Sequence, residues 1–311
     1  MLTSRSMPAS APATVPDRAA TLMRRAAIAS ITVALLLTLV KAAAYLFSNS
    51  VAMLASMADS GLDLLASAAN YVAIRQALTP ADREHRFGHG KAEPLAGLAQ
   101  SAFIVASALF LGVQSVERLI APQPMEHTGE ALAVMGLSIA ATIALLLYQQ
   151  RAIAASRSTA IRADRAHYVG DLAANLAVIA AILLSGWFGW ERADPLFALG
   201  VVALLLSSAW QVGRDSLDQL MDRELPDEER ARIARIITGH PAVKGVHDLK
   251  TRTAGLSTFI QAHIVLDGAS SLSAAHAVTE GIEQALVHAY PGAEIIIHQD
   301  PAPPPDAAPT A

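Results

Sequence analysis

The 311-residue sequence contains no cysteine and few charged residues. The absence of cysteine excludes disulfide bonds and thiolate metal sites, so any metal ligand must be a His, Asp or Glu side chain or a backbone oxygen. Only 16% of the residues are charged while 53% are hydrophobic, which is too apolar for a typical soluble protein. The net charge of -4 gives no basic bias toward nucleic acid. The composition therefore indicates a membrane protein.

Six stretches of the sequence are apolar and long enough to form membrane-spanning helices, which need about 20 residues each. The polar ends, rich in Ala, Ser and Pro, are typical of disordered tails. The spans are predicted at 26–47, 51–77, 95–120, 130–150, 167–186 and 194–216. We predict four regions, which are a disordered tail at 1–25, a transmembrane domain at 26–216, a cytoplasmic metal-binding dimerisation domain at 217–300 and a disordered tail at 301–311.

Basic residues are concentrated on one side of the six predicted spans. The N-terminal tail and the loops after spans two and four carry most of them, whereas the opposite side has only Arg118 and Arg192. Because cytoplasmic loops of membrane proteins are enriched in Lys and Arg, both termini are predicted to be cytoplasmic. The basic residues of that side are Arg5, Arg18, Arg24, Arg25, Arg83, Arg86, Lys91, Arg151, Arg157, Arg162 and Arg165.

The chain has ordinary polarity after the sixth span, from Leu225 onward. Helical and extended patterns follow in the order α-β-β-α-β, which predicts a small α+β domain on the cytoplasmic side. The predicted elements are a helix starting at Asp227, strands at 243–253 and 258–266, a helix at 273–290 and a strand at 294–298.

Ionisable residues lie within the predicted spans, where a charge is costly. Asp59 and Asp63 are four residues apart, as are His167 and Asp171, so each pair shares one helix face. Neighbouring carboxylates repel each other unless a cation or a proton lies between them. Either pair alone is equally compatible with a structural role, but three carboxylates and an imidazole together favour a tetrahedral divalent-metal site. Lys41 in span one either pairs with a carboxylate or extends to the interface.

Two further groups of polar residues lie outside the predicted spans. Asp82, His85 and His89 in the loop after span two could converge on a metal, although their spacing alone slightly favours a solvated loop. In the soluble domain, His298 and Asp300 are two residues apart and face the same side of a strand. They belong to a region with an unusual density of histidines, which predicts a metal cluster only if folding brings those side chains together.

Five segments of the sequence resemble the cation diffusion facilitator family, and most closely its bacterial ferrous-iron and zinc efflux transporters. The resemblance runs from about Ala26 to Pro301, which is nearly the whole predicted ordered chain. The segments that carry it are ADSGLDLLASAAN, HRFGHGKAEPLAGLAQS, RADRAHYVGDLAAN, LMDRELPDEE and IIIHQDP.

The resemblance implies a homodimer whose soluble domain is metallochaperone-like, with a charge pair between Lys91 and Asp222 at the membrane edge. It leaves His127, His240 and His288 without an assigned role. It also implies a transport site, a loop site and a cytoplasmic two-metal cluster that holds Zn²⁺ as a structural ion. The implied ligands of the transport site are Asp59, Asp63, His167 and Asp171. Those of the loop site are Asp82, His85 and His89. Those of the cytoplasmic cluster are His247, His263, His276, His298 and Asp300.

These residues, together with the resemblance, imply a proton-coupled antiporter of the bacterial inner membrane that exports Zn²⁺ or Fe²⁺, with Cd²⁺ and Co²⁺ as possible further substrates. An imidazole ligand favours these ions, whereas carboxylates alone would suit manganese. A histidine side chain ordinarily titrates near cellular pH, so a histidine in this site is suited to exchange a proton for a metal. One alternative is a membrane-bound metal sensor without transport. Another is a membrane hydrolase using His167 and Asp171, but no G-x-S-x-G motif supports it and we expect no enzyme activity.

Overall fold

A computed structural model describes residues 17–48, 51–121, 129–188, 190 and 192–302. The predicted tail residues 1–16 and 303–311, and His127, lie outside these described residues. Within them the chain forms eight helices and three strands. The elements are α1 (Asp17–Ser48), α2 (Val51–Ala77), α3 (Ala92–Ile120), α4 (Gly129–Ser156), α5 (Thr159–Phe188), α6 (Ala193–Leu220), α7 (Asp227–Thr238), β1 (Gly245–Ala254), β2 (Ser257–Leu266), α8 (Leu272–Ala289) and β3 (Glu294–Pro301).

The chain divides into two compact units. The first comprises Arg18–Pro80 and Gly88–Leu220, and the second includes Ala81–Phe87 and the chain from Met221 onward. The first unit therefore contains the six long helices α1 to α6, and the second contains all the strands.

Five of the six long helices are apolar enough to cross a membrane among the described residues. The remaining one, α2, is 27 residues long, carries Asp59 and Asp63, and packs against α3 and α5. The predicted membrane all-α class with an appended α+β domain is confirmed, and α2 completes the bundle of six. The five apolar segments are Arg18–Leu46, Ala92–Ile120, Ala133–Ser156, Thr159–Leu184 and Ala193–Leu220.

Several helices extend beyond the predicted spans. α1 begins at Asp17, so residues 17–25, predicted as part of a disordered tail, are helical. α4 continues to Ser156 and α5 begins at Thr159, which shortens the loop predicted between them to two residues. Arg157 in this turn has a φ of 54°, a left-handed conformation common just after a helix end. The span prediction followed the apolar stretch alone, whereas the backbone hydrogen bonds of these helices continue past it.

The second unit is a three-stranded sheet with both helices packed on one face. β1 and β2 are antiparallel, β2 and β3 are parallel, and β2 is the central strand. Ile260 and Ile264 of β2 are fully buried against Ile282 and Leu286 of α8. Because side chains alternate along a strand, His263 of β2 lies on the opposite, open face. The predicted α-β-β-α-β order is confirmed.

The boundaries of the second unit differ slightly from those predicted. α6 ends at Leu220, four residues after the predicted end of span six. β3 continues to Pro301, and the backbone N–H of Ala302 donates to Leu266 O at 2.7 Å. The first residues of the predicted C-terminal tail therefore belong to the sheet.

Residues Ala81–Phe87, predicted as part of the loop after span two, belong to the second unit. Phe87 packs edge-on against Phe259 of β2, with ring centroids 6.2 Å apart. The guanidinium carbon of Arg252 lies 3.9 Å from the centroid of the Phe259 ring and 5.7 Å from that of Phe87. Aromatic and cation–π contacts of this kind hold the loop segment on the sheet.

Candidate metal centres

Asp63 of α2 comes together with His167 and Asp171 of α5 inside the helix bundle. His167 Nε2 lies 2.9 Å from Asp63 Oδ1 and 3.6 Å from Asp171 Oδ2. One possible ligand atom from each residue lies within 4.8 Å of the other two. His167 is only 6% exposed. The structure thus brings three of the four predicted transport-site residues into one compact group.

Asp59, the fourth predicted transport-site residue, lies one helical turn before Asp63 and outside the three-residue group. It lines the same cavity as Asp63 and Asp171, which has a volume of about 160 Å³. Since a water molecule occupies about 30 Å³ in the liquid, this space can hold a metal ion with part of its hydration shell. The carboxylates of Asp59, Asp63 and Asp171 thus all line one cavity that is large enough for a metal ion.

A buried polar network one helical turn before His167 was missed by the sequence analysis. Asp164 Oδ2 accepts hydrogen bonds from Ser30 Oγ at 2.5 Å and from Gln149 Nε2 at 2.7 Å. The hydroxyl of Tyr168 donates to Ser30 O at 3.2 Å. These bonds tie α5 to α1 and α4, and so fix the rotation of α5 that presents His167. Asp164 shares the helix face of His167 at an i,i+3 spacing, which was the available signal.

Two other features hold α5 in place. The Oε1 atom of Glu93, a buried residue of α3, accepts a hydrogen bond from the backbone N–H of Ala160 at 3.3 Å. This carboxylate satisfies one of the free N–H groups at the start of α5. Further along, Gly170 lets α6 approach closely, because a Cβ atom there would clash with Leu205. Both contacts position the helix that carries His167 and Asp171.

The loop after α2 presents a pair of exposed predicted ligands. Asp82 Oδ1 lies 3.3 Å from His85 Nδ1 and accepts the backbone N–H of His85 at 2.6 Å. That backbone hydrogen bond lowers the pKa of Asp82 below its ordinary value. His89 follows at the start of the other unit, where its Nδ1 lies 3.3 Å from Thr79 O. Asp82 and His85 therefore form one side of the predicted loop site.

Three histidines occupy adjacent positions across the open face of the sheet. His247 pairs in register with His263, and His263 pairs with His298. Asp300 Oδ2 lies 3.2 Å from His247 Nε2 and 3.0 Å from His263 Nδ1, while Oδ1 lies 3.4 Å from His298 Nε2. One carboxylate thus contacts three imidazoles through both of its oxygens, a geometry that suits a bridge between two metal ions.

The histidines around Asp300 favour the negatively charged form of its carboxyl group. Partial burial raises the pKa of Asp300, but the hydrogen bond with His263 and the charges of His298, His263 and His247 outweigh it, so the pKa lies below its ordinary value. The carboxylate is therefore ionised at neutral pH, as a metal ligand must be.

Asp248 is a further acidic neighbour that the sequence analysis missed. It follows His247 at an irregularity in the pairing of β1, and its φ of 50° lies in the left-handed region that Asp tolerates better than most residues. Its Oδ2 lies 3.7 Å from His263 Nε2 and 3.0 Å from Lys250 Nζ. The hydrogen bond from Lys250 lowers the pKa of Asp248. The sequence carried no sign of this irregularity in the strand.

His276 is separated from the other four predicted cluster ligands. It is an exposed residue of α8, and α8 packs through Ile282 and Leu286 on the sheet face opposite the histidines. The five predicted ligands are therefore not gathered within one chain, because the sheet stands between His276 and Asp300. A ligand role for His276 requires a second copy of the chain.

Lys91 and Asp222, the predicted charge pair, lie in different units of the chain. Within the first unit, Lys91 Nζ donates to Leu220 O at 3.3 Å. Within the second, Asp222 Oδ1 lies 3.4 Å from Arg252 Nη1. Both residues are engaged in their own units, and the charge pair between subunits stays a prediction.

Comparison with known proteins covers both units. Residues 27–221 match the family model of the cation efflux transmembrane domain, and residues 225–302 match that of the cation efflux protein cytoplasmic domain. The cation-efflux pump FieF of Klebsiella pneumoniae is 44% identical over 281 residues, covering 90% of this chain and 93% of its own. FieF of Citrobacter koseri is 46% identical over 280 residues, with the same coverage. A solved structure of CzrB in its zinc form is 38% identical, covers 26% of this chain and 92% of its own, and has a TM-score of 0.25.

Proposed function

We propose that this chain, which belongs to the cation efflux family and exports divalent metal cations, exchanges each cation for protons. The observation that carries the proposal is the position of His167, with Asp63 at 2.9 Å and Asp171 at 3.6 Å from one ring nitrogen. That nitrogen can hold a proton or a metal ion, but not both. Metal binding therefore releases a proton, and protonation expels the metal.

The proposed transport site consists of Asp63, His167 and Asp171, with Asp59 completing it from the wall of the same cavity. Helix rearrangement would expose this cavity to one side of the membrane and then to the other. The polar network of Asp164 supports movement of α5 together with α1 and α4, because these helices are joined by buried hydrogen bonds.

The two other proposed metal sites have different roles. The loop site uses Asp82, His85 and His89. The cytoplasmic cluster holds two Zn²⁺ ions as structural ions, with Asp300 bridging them, and His276 enters only from the second chain of a homodimer. The match of residues 225–302 to the family's cytoplasmic dimer-type domain supports the homodimer. The remaining ligands of the cluster are His247, His263 and His298.

We further propose the bacterial inner membrane as the location, with both termini in the cytoplasm and with residues 18–80 and 88–220 forming the transmembrane domain. Inside-out vesicles with an acidic interior are then expected to accumulate Zn²⁺ added outside, and an uncoupler should abolish the accumulation. Right-side-out vesicles with an alkaline interior have the proton gradient of the cell and should not accumulate it. A chain that binds Zn²⁺ but moves none in either vesicle would support the metal sensor instead.

The proposed substrates are Zn²⁺ and Fe²⁺, with Cd²⁺ and Co²⁺ as secondary ones, because of the imidazole of His167. The variant His167→Asp makes the ligand set all-oxygen and is expected to reduce zinc transport relative to manganese by about tenfold or more. The ratio of the two initial rates in the same vesicles measures it. An unchanged ratio would show that His167 does not contact the transported ion.

A further inference from the structure

Lys41 of α1 is an intramembrane cation that reaches the cavity of the proposed transport site. Its Nζ donates a hydrogen bond to Ser60 Oγ at 2.6 Å, and Ser60 is only 2% exposed. Thr38, one turn earlier on α1, donates to the backbone oxygen of the same serine at 3.0 Å. The ammonium is therefore held inside the bundle and does not extend to the membrane surface.

The charged neighbours of this ammonium come from both helices of the proposed site. Asp59 and Asp63 of α2 and Asp171 of α5 line the same cavity as Lys41. The charge of Lys41 acts on Asp59 and on Asp171. Among the described residues that line this cavity, those of α4 contribute hydroxyls, and the other titratable side chain is Tyr168. The imidazole of His167 adjoins this group through its contacts with Asp63 and Asp171.

The charges of this group balance when Lys41 is included. Three carboxylates carry three negative charges, while a divalent cation and one ammonium supply three positive charges, with His167 neutral as a metal ligand. After the metal leaves, two protons restore the same balance. Without the ammonium, the site would carry one net negative charge in both states. A net charge in a low-dielectric bundle is costly to move across the membrane.

Building on the proposed antiport, we infer that Lys41 is a resident counter-ion of the transport site, which keeps the metal-loaded and proton-loaded carrier neutral and weakens metal binding enough to permit release. It is a charge-setting residue and does not coordinate the metal. Its position beside Ser60, between the two aspartates of α2, allows it to oppose the metal electrostatically without occupying a ligand position.

This role predicts that two kinetic constants, the half-saturating zinc concentration and the maximal exchange rate, fall together when the charge is removed. In Lys41→Met, the half-saturating zinc concentration in proteoliposomes is expected to fall about tenfold, because the cation that lines the same cavity as the ligands no longer repels the metal. The maximal exchange rate is expected to fall about tenfold as well, because the carrier reorients with a net charge and releases metal more slowly. Lys41→Arg, which keeps the charge, should restore the wild-type half-saturating concentration.

Control variants distinguish the effect of the charge of Lys41 from the effect of its packing contacts. Arg75→Met removes a cation from an exposed position near the end of α2, outside the cavity, and should leave both constants unchanged. Lys41→Gln is a second neutral variant if Lys41→Met does not yield folded protein. A lost packing contact would raise the half-saturating concentration, and a rise or no change in the neutral variants overturns the inference. Wild-type protein that moves zinc without moving protons would refute the antiport, while the zinc kinetics of the variants would still decide the role of Lys41.

Discussion

The variant Asp63→Ala is expected to lower zinc transport at least about 100-fold. Loss of a residue that only supports a metal ligand already costs up to about 100-fold in metal affinity or activity, and Asp63 is proposed to be a ligand itself. Asp63 is the α2 residue that reaches His167, at 2.9 Å, so its removal takes away both a ligand and the partner that orients the imidazole. The fold should persist, because α5 stays fixed by Asp164 and Glu93. Zinc accumulation in acid-loaded inside-out vesicles measures the effect.

Two further variants make this experiment specific. Asp63→Asn keeps the size of the side chain and its hydrogen-bonding capacity but loses the negative charge, so it should fail to transport as well. Asp215→Ala removes an acid of α6 that pairs with Arg162 at 2.8 Å in a half-exposed position, and its transport should be close to wild type. Normal transport by the purified Asp63→Ala protein would mean that this aspartate is not a ligand.

The sequence predicted the elements of this site better than its surroundings. Asp63, His167 and Asp171 were identifiable because charged residues at i,i+4 spacing are conspicuous in apolar helices. The network around Asp164 was missed because its partners Ser30 and Gln149 are ordinary polar residues that lie on other helices. Which small polar residue meets a buried carboxylate is decided by helix packing, and one-dimensional spacing does not reveal it.

In the soluble domain, too, the sequence predicted some features of the metal cluster and did not reveal others. Alternation along the strand predicted the common face of His298 and Asp300. The register that aligns His247, His263 and His298 depends on strand pairing, which the sequence did not specify. The separation of His276 was also hidden, because it follows from which sheet face the helix covers.

In the soluble domain, Asp300→Ala is expected to lower the melting temperature by about 10 °C in zinc, with little change in chelator. Asp300 contacts His247 and His263 through one oxygen and His298 through the other, so its carboxylate links the three predicted imidazole ligands. Ligands brought together by folding stabilise the folded state only when the metal is present. The zinc-bound dimer should also dissociate at a higher protein concentration in the variant than in the wild type.

The measurement compares melting curves and sedimentation of wild-type and variant full-length protein, each with zinc and with chelator. Asp267→Ala is the matched control, since this exposed aspartate of the same domain pairs with Lys244 at 3.2 Å and lies outside the histidine cluster. The control should lose the same small amount of stability in both conditions. Asp300→Asn keeps a hydrogen-bond acceptor for the histidines but bridges two cations poorly, so it should resemble Asp300→Ala in zinc and the wild type in chelator.

The competing explanation is that Asp300 only ends a strand, because it immediately precedes Pro301, the last residue of β3. In that case its loss would weaken the sheet by a similar amount with and without metal. Equal destabilisation in zinc and in chelator would therefore exclude Asp300 as a bridging ligand. A zinc-dependent difference that also appears in His263→Ala, and not in Asp267→Ala, would assign the metal to the open face of the sheet, since His263 contributes its ring there at 3.0 Å from Asp300.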